Sequence, residues 1–254
     1  MKLKDRKIII NKTQSINLKE KTLFNANGDE GLHLWESSIV LSRYIIKYKQ
    51  LFEGKKIIEL GSGCGLVGLT CLKYTNCNDF TFTDYQPSVL DNLKENITLN
   101  SIKHQHISSN ENTGNTGKEI NTNNQTGICL GCYSERYKIL NIDWRDYEKY
   151  NTQIYDYIIG SELIYIGGFI EELVKLIFNL LSPNGKALIT MPTNRSKTLD
   201  FLKFVEDNKM FCTFAEVKEE DLLGCPLENE KEYKKLFENI VDMKIVLYEI
   251  TKIK

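Results

Sequence analysis

The sequence predicts an α/β fold with a seven-stranded, mostly parallel sheet and helices on both faces. Short runs rich in β-branched and aromatic residues alternate with amphipathic segments, which is typical of βαβ units. One of these runs ends in a glycine-rich turn at residues 61–65 that leads directly into a helical segment. A chain of 254 residues with 41% hydrophobic residues is long enough to bury one core of this kind.

The elements are predicted in order from local patterns. Seven segments are short apolar or β-branched runs and are predicted strands: 56–60, 80–83, 137–142, 155–160, 185–191, 211–217 and 240–250. Five segments carry apolar residues at helical spacing and are predicted helices: 35–52, 66–74, 87–99, 170–181 and 198–208. Ser37 and Ser38 are predicted to cap the first helix. The last strand is expected to run antiparallel, because no clear crossover helix precedes it.

Two segments interrupt the alternation. Residues 1–30 are polar and lysine-rich around a short apolar patch at residues 8–10, so we predict a strand or a loose N-terminal extension. Residues 101–135 contain a stretch rich in Asn, Thr and Gly, and we predict a disordered insert there. Because the strand pattern resumes after the insert, residues 31–254 are predicted to form a single domain.

Composition and charge argue against several classes of protein. The chain has 33 Lys and Arg against 34 Asp and Glu, so its charge does not predict a nucleic-acid partner. No apolar run reaches the length of about 18–20 residues that crosses a bilayer, and the N-terminus does not resemble a signal peptide. We therefore expect no membrane partner, reduced cysteines and a cytoplasmic protein, with the nucleus as an alternative. The pair Cys129 and Cys132 lacks a second ligand pair, so no metal site is predicted.

The glycine-rich turn predicts a ligand at the start of a helix. Its glycines let the backbone approach a ligand closely, and the helix offers free N–H groups. A dinucleotide motif would need a glycine at Leu66, whereas S-adenosylmethionine sites place an acidic residue such as Glu59 before G-x-G-x-G. Asp84, after the next strand, suits the hydroxyls of a ribose. S-adenosylmethionine is favoured, and a dinucleotide or a purely structural turn remain alternatives.

Five segments together resemble the class I, seven-strand S-adenosylmethionine-dependent protein methyltransferases, and more narrowly the lysine methyltransferase family 16 group. They are 31–37 (GLHLWES), 59–69 (ELGSGCGLVGL), 84–100 with its two asparagines 96 and 100, 142–144 (IDW) and 155–165 (YDYIIGSELIY). The resemblance implies a Rossmann-like fold, the cofactor S-adenosyl-L-methionine and a protein substrate.

The motifs and the resemblance together predict twelve site residues. Ten would bind the cofactor: Trp35, Glu59, Gly61, Ser62, Gly63, Gly65, Asp84, Asp143, Trp144 and Ser161. The resemblance places the Trp144 ring against adenine. Glu162 and Tyr165 would be catalytic: Glu162 would hold and orient the acceptor nitrogen, and Tyr165 would shape the wall beside it. Many members of the family have Asp where this chain has Glu162.

The sequence therefore predicts a protein N-methyltransferase, expected to be a monomer, that acts on a lysine of a translation factor or chaperone. A histidine of a ribosomal protein is the alternative acceptor. Residues 161–165 (SELIY) resemble the histidine-modifying branch, whereas Arg195 after the fifth strand resembles the lysine branch. A small-molecule methyltransferase, a nucleic-acid methyltransferase and an inactive binding module are further alternatives. The nucleic-acid enzymes usually carry an Asn/Asp-Pro-Pro-Tyr/Phe motif, which is not found after the fourth strand.

Overall fold

The computed structural model describes residues 3–21, 30–100, 136–164, 168–217 and 244–253. The strands in these ranges are β1 (Lys4–Ile9), β2 (Ser15–Glu20), β3 (Lys56–Glu59), β4 (Asp79–Asp84), β5 (Tyr137–Asn141), β6 (Tyr155–Ser161), β7 (Leu181–Pro192), β8 (Met210–Glu216) and β9 (Ile245–Lys252). The α-helices are α1 (Glu36–Lys47), α2 (Leu66–Tyr74), α3 (Pro87–Leu99), α4 (Ile170–Leu180) and α5 (Thr198–Asp207). None of the described helices is long and apolar enough to span a membrane.

Seven strands form one sheet in the order β5-β4-β3-β6-β7-β9-β8. The pairs from β5 through β7 are parallel, and β9 runs antiparallel to both β7 and β8. The predicted seven-stranded, mostly parallel Rossmann-like sheet is confirmed, as is the antiparallel last strand. In this order β3 and β6 are neighbours at the centre, so the residues that follow them meet at one edge of the sheet.

The sheet separates two hydrophobic cores. Successive strand residues point to opposite faces, so that Ile57 belongs to one core and Ile58 to the other. Helices α1, α2 and α3 cover the first core, and α4 and α5 cover the second. Helix α2 is apolar on all sides, and its residues 66–72 are all buried between the sheet and its neighbours.

The N-terminal strands β1 and β2 form an antiparallel hairpin that belongs to the first core. Ile8, Ile10, Ile16 and Leu18 are buried there. Of the two predicted possibilities for this region, a strand is therefore found at residues 4–9.

Helix side chains bind the outer edge of β2. The Tyr74 hydroxyl accepts from the amide of Ser15 at 3.0 Å and donates to its carbonyl at 2.8 Å. Asn96 of α3 and Asn100, the residue that follows α3, do the same with their side-chain amides. Asn100 bonds the N–H and C=O of Asn17 at 3.0 and 2.7 Å, and Asn96 bonds those of Lys19 at 2.7 and 3.2 Å. We call Tyr74, Asn96 and Asn100 the edge-binding side chains.

Three local predictions are wrong at residue level. The predicted helix 35–52 is divided into α1 and a 3₁₀ helix, Lys49–Phe52. Helix α1 begins at Glu36 with Trp35 at its N-cap, where no side chain caps the helix, so Ser37 and Ser38 lie inside the first turn. Strand β7 begins at Leu181 rather than at residue 185, because a register shift between the pairs Tyr155–Leu181 and Tyr157–Lys186 takes up the intervening residues. The predicted insert at 101–135 lies outside the described residues.

Candidate active site

The carboxyl ends of the central parallel strands open on a cavity of about 700 Å³. Glu59, Asp84 and Ser161 are the last residues of β3, β4 and β6, and this edge of an α/β sheet is where ligands bind. Ten of the twelve predicted site residues line the cavity: Trp35, Glu59, Gly61, Ser62, Gly63, Gly65, Asp84, Trp144, Ser161 and Glu162.

Ser62 fixes the glycine-rich turn to Thr83 of β4 by two hydrogen bonds. Ser62 donates its amide to the Thr83 carbonyl at 2.7 Å, and its hydroxyl accepts the Thr83 amide at 3.0 Å. Gly65 closes the turn by donating to the Ser62 carbonyl at 2.7 Å. The three glycines of the turn have φ between +52° and +86°, a region that side chains disfavour. A Cβ on Gly63 would also lie 3.1 Å from the Gly31 carbonyl oxygen, so the turn requires glycine there.

Two buried carboxyl groups lie at the cavity wall. Asp84 accepts the amides of Gly63 at 3.1 Å and Gln86 at 3.2 Å, one on each oxygen, and its burial raises its pKa. Glu59 is 2% exposed, and its Oε2 atom has no hydrogen-bond partner among the described residues. Burial raises the pKa of Glu59 to about 8, and the nearby Asp84 carboxylate adds to that effect. Glu59 is therefore mainly neutral at pH 7.

Two tryptophans border the same cavity from different elements. Trp35 donates its ring N–H to the Glu30 carbonyl at 3.1 Å and meets the His33 ring edge to face at 5.1 Å between centroids. Trp144 opens a 3₁₀ segment, Trp144–Lys149, that begins three positions after the last residue of β5. A Cβ on Gly61 would lie 3.7 Å from the Trp144 ring, so this aromatic face lies next to the glycine-rich turn.

Two predicted residues are not placed at the cavity. The Asp143 side chain caps the 3₁₀ segment by accepting the Arg145 amide at 3.0 Å, and it pairs with the Arg145 guanidinium, whose hydrogen bonds lower the pKa of Asp143. Asp143 is not among the residues that line the cavity. Tyr165 lies outside the described residues, as do Cys129 and Cys132.

Glu162 occupies an unusual position directly after β6. Its φ is +57°, a backbone conformation that costs a residue with a side chain about 1–3 kcal/mol, and its amide donates to the Thr190 carbonyl at 2.9 Å. Its side chain is 6% exposed. Oε1 accepts the Ser37 hydroxyl at 2.5 Å, and Oε2 accepts both Nε (2.9 Å) and Nη2 of Arg195. Burial raises the pKa of Glu162, against the lowering effects of Ser37 and Arg195.

Two partners of Glu162 were not predicted as site residues. Ser37 lies in the first turn of α1, and Arg195 lies in the loop between β7 and α5. The resemblance to the lysine branch had singled out Arg195, and the topology explains its place, because Arg195 follows the strand that pairs with β6 in parallel. The same loop also brings Asn194 and Lys197 to the cavity.

Comparisons with known proteins point to methyltransferases. A family model described as lysine methyltransferase matches residues 11–112 and 111–208. The histidine protein methyltransferase 1 homolog of Bos taurus is 30% identical over 213 residues, which cover 80% of this chain and 56% of that protein. The protein-lysine N-methyltransferase EEF2KMT of Homo sapiens is 33% identical over 88 residues, which cover 35% of this chain and 27% of that protein.

A solved structure supports the fold alone. A candidate S-adenosylmethionine-dependent methyltransferase from Streptococcus mutans superposes with a TM-score of 0.58 at 13% identity. The match covers 97% of this chain and 55% of that one. The chain spans about half the length of the curated relatives it matches, between 43% and 56% for the first three.

Proposed function

The chain belongs to the lysine methyltransferase family and has the fold of the class I S-adenosylmethionine-dependent enzymes, and on that premise we propose that it methylates a side-chain nitrogen of another protein. The observation that carries the proposal is Glu162. A buried carboxylate, held from both sides, stands on the wall of a cavity that also holds the predicted cofactor residues.

The residues at the cavity fit S-adenosyl-L-methionine. Glu59 offers a buried oxygen without a partner, and Asp84 keeps lone pairs beyond its two backbone bonds for the ribose hydroxyls. The positive φ of the turn glycines leaves the backbone bare for close approach, and the Trp144 ring suits a flat heterocycle. When bound, the cofactor supplies an electrophilic methyl group on a positively charged sulfur.

The chain's part in the reaction is to present a neutral nitrogen in line with the methyl–sulfur bond. A lysine amine with a pKa near 10.4 costs about 4–5 kcal/mol to hold neutral at pH 7, whereas a histidine with a pKa near 6.5 costs little. Glu162 would accept an N–H of the acceptor and so turn its lone pair towards the methyl group. The left-handed backbone of Glu162 and its two side-chain partners fix that orientation in advance.

We propose two acceptor side chains, in order of preference. Lysine is the first, supported by the lysine branch resemblance at Arg195 and by the description of the family model. Histidine is the second, supported by a specific observation: relatives named as histidine protein methyltransferases match 64–80% of this chain, whereas EEF2KMT matches 35%.

The test uses the purified chain, tritiated S-adenosylmethionine and a cell lysate. We expect a discrete labelled protein with the wild type, and loss of label with Glu162→Gln, which keeps the shape and removes the charge. Glu171→Gln is the matched control, because Glu171 lies on α4 in an exposed ion pair with Lys175. Hydrolysis of the labelled band separates methyl-lysine from methyl-histidine.

Each other outcome contradicts a stated part of the proposal. If calorimetry shows that the chain binds the cofactor but no protein is labelled, the proposed protein acceptor is contradicted. Full labelling by Glu162→Gln would remove Glu162 from the reaction while leaving the enzyme class intact. A chain that binds no cofactor would contradict the whole proposal.

A further inference from the structure

We propose that Arg195 is a positioning residue for the methyl transfer, whose guanidinium binds Oε2 of the Glu162 carboxylate and leaves Oε1 for the acceptor nitrogen. This inference rests on the proposed function, because it assigns a role within the same site. It starts from an ion pair between two loops that the sequence separates by 33 residues.

Arg195 is itself held in place by the start of α5. Its backbone carbonyl accepts the Thr198 amide at 3.2 Å and the Thr198 hydroxyl at 2.8 Å. Its side chain then delivers Nε and Nη2 to the same carboxylate oxygen of Glu162. The side chain of Arg195 is 31% exposed and that of Glu162 6%, so the carboxylate is the buried member of the pair and the guanidinium is its cationic partner.

A count of lone pairs shows which oxygen stays available. An ionised carboxylate accepts about four hydrogen bonds, two on each oxygen. Arg195 uses both positions on Oε2, and Ser37 uses one on Oε1. One position on Oε1 is left for an acceptor N–H. Arg195 and Ser37 together therefore decide where the acceptor nitrogen is held.

The charges around Glu162 predict what losing Arg195 would do. Burial raises the pKa of Glu162, as does Glu36 on α1, while Ser37 and the guanidinium lower it. The other titratable side chains that line the cavity are Glu30, His33, Glu59, Cys64, Asp84, Tyr85 and Lys197. Without Arg195 the carboxylate would protonate at higher pH. Any Glu162 that stayed ionised would no longer be neutralised and would favour the protonated acceptor nitrogen. The protonation of Glu162 and the protonation of the acceptor therefore both displace activity towards higher pH.

The first experiment measures the ionisation of Glu162 directly, without a substrate. Glutamate labelled with ¹³C at the carboxyl carbon is followed by NMR against pH, and the signal lost in Glu162→Gln identifies the residue. We expect this signal to titrate about one pH unit or more higher in Arg195→Gln than in the wild type. Arg195→Lys should lie between them, since it keeps the charge and loses the two-pronged geometry. Lys203→Gln, on the exposed side of α5, should titrate as the wild type does.

The second experiment follows methyl transfer against pH. The acid limb of the kcat/KM profile should move to higher pH in Arg195→Gln by the same amount. At a pH below this limb the shift means about a tenfold loss of kcat/KM, and high pH should restore activity. Cofactor affinity should change less than twofold, which also shows that the variant is folded. Coincident titrations and coincident pH profiles for all the variants would overturn the inference. If the Glu162 signal titrates at higher pH in Arg195→Gln but the wild-type chain labels no protein, the role of Arg195 in the ion pair would be supported and the proposed function rejected.

Discussion

Cofactor binding should release a proton from Glu59. Its pKa of about 8 means that about nine-tenths of the molecules carry this proton at pH 7. S-adenosylmethionine bound as proposed would bring positive charge into the cavity that Glu59 lines. A cation within about 4–6 Å lowers a carboxyl pKa by about 1–3 units, and a fall of about two units leaves about a tenth protonated. We therefore expect about 0.8 proton to be released for each cofactor bound.

Calorimetry in several buffers measures this number. The heat of cofactor binding at pH 7 is plotted against the ionisation enthalpy of the buffer, for example phosphate and Tris, and the slope gives the protons released. Glu59→Gln is the matched control, because it keeps the shape and carries no proton to lose. Asp84 also has a raised pKa, so a small slope can persist in that variant. Equal slopes in the wild type and in Glu59→Gln would refute the assignment of the proton to Glu59.

The same group predicts a pH dependence without any cofactor. Between about pH 4.5 and pH 8 the folded chain keeps the Glu59 proton and the unfolded chain has lost it. The free energy of unfolding should therefore fall as the pH rises through this window. Urea titrations should show a flatter dependence for Glu59→Gln, and parallel curves would contradict the raised pKa.

Three further predictions concern single side chains. Asn96→Ala removes three hydrogen bonds of a fully buried amide and should cost about 2–4 kcal/mol of unfolding free energy by urea titration, whereas Glu95→Ala on the same helix should cost under about 1 kcal/mol. Gly68→Ala would put a Cβ 2.2 Å from the Phe82 ring and should lower the free energy of unfolding, measured by urea titration, by about 1–3 kcal/mol, and an unchanged value would contradict that contact. Asp84→Ala should weaken cofactor binding by about 1.5–3 kcal/mol in calorimetry, and an unaltered Kd would take Asp84 out of the site.

Elements with strong local signals could be predicted to the residue. Helices α2 and α3 have the bounds that the sequence predicts, because a glycine turn precedes one and Pro87 occupies the first position of the other. Ser37 shows where local rules fail. Serine is a good capping residue, but helix α1 already begins at Glu36, before Ser37. The Ser37 hydroxyl instead donates a hydrogen bond to Glu162.

The site residues that end or follow a strand could be predicted from the sequence. Glu59, Asp84 and Glu162 each end or follow a strand, so a parallel sheet brings them to one edge. The partnership of Glu162 with Arg195 was not predictable, because it depends on β7 lying beside β6 rather than on any spacing in the chain. The unpaired oxygen of Glu59 likewise follows from packing, which the sequence does not report.

The edge-binding side chains have a consequence for assembly. An outer strand with free amides and carbonyls is a template on which another chain can add a strand. On β2 the amides and carbonyls of Ser15, Asn17 and Lys19 are taken by the edge-binding side chains, and Asn92 adds a second bond to the Lys19 carbonyl at 3.0 Å. These side chains thus close the hairpin to strand exchange as a neighbouring strand would. Asn96 also supports the glycine-rich turn by donating to the Cys64 carbonyl.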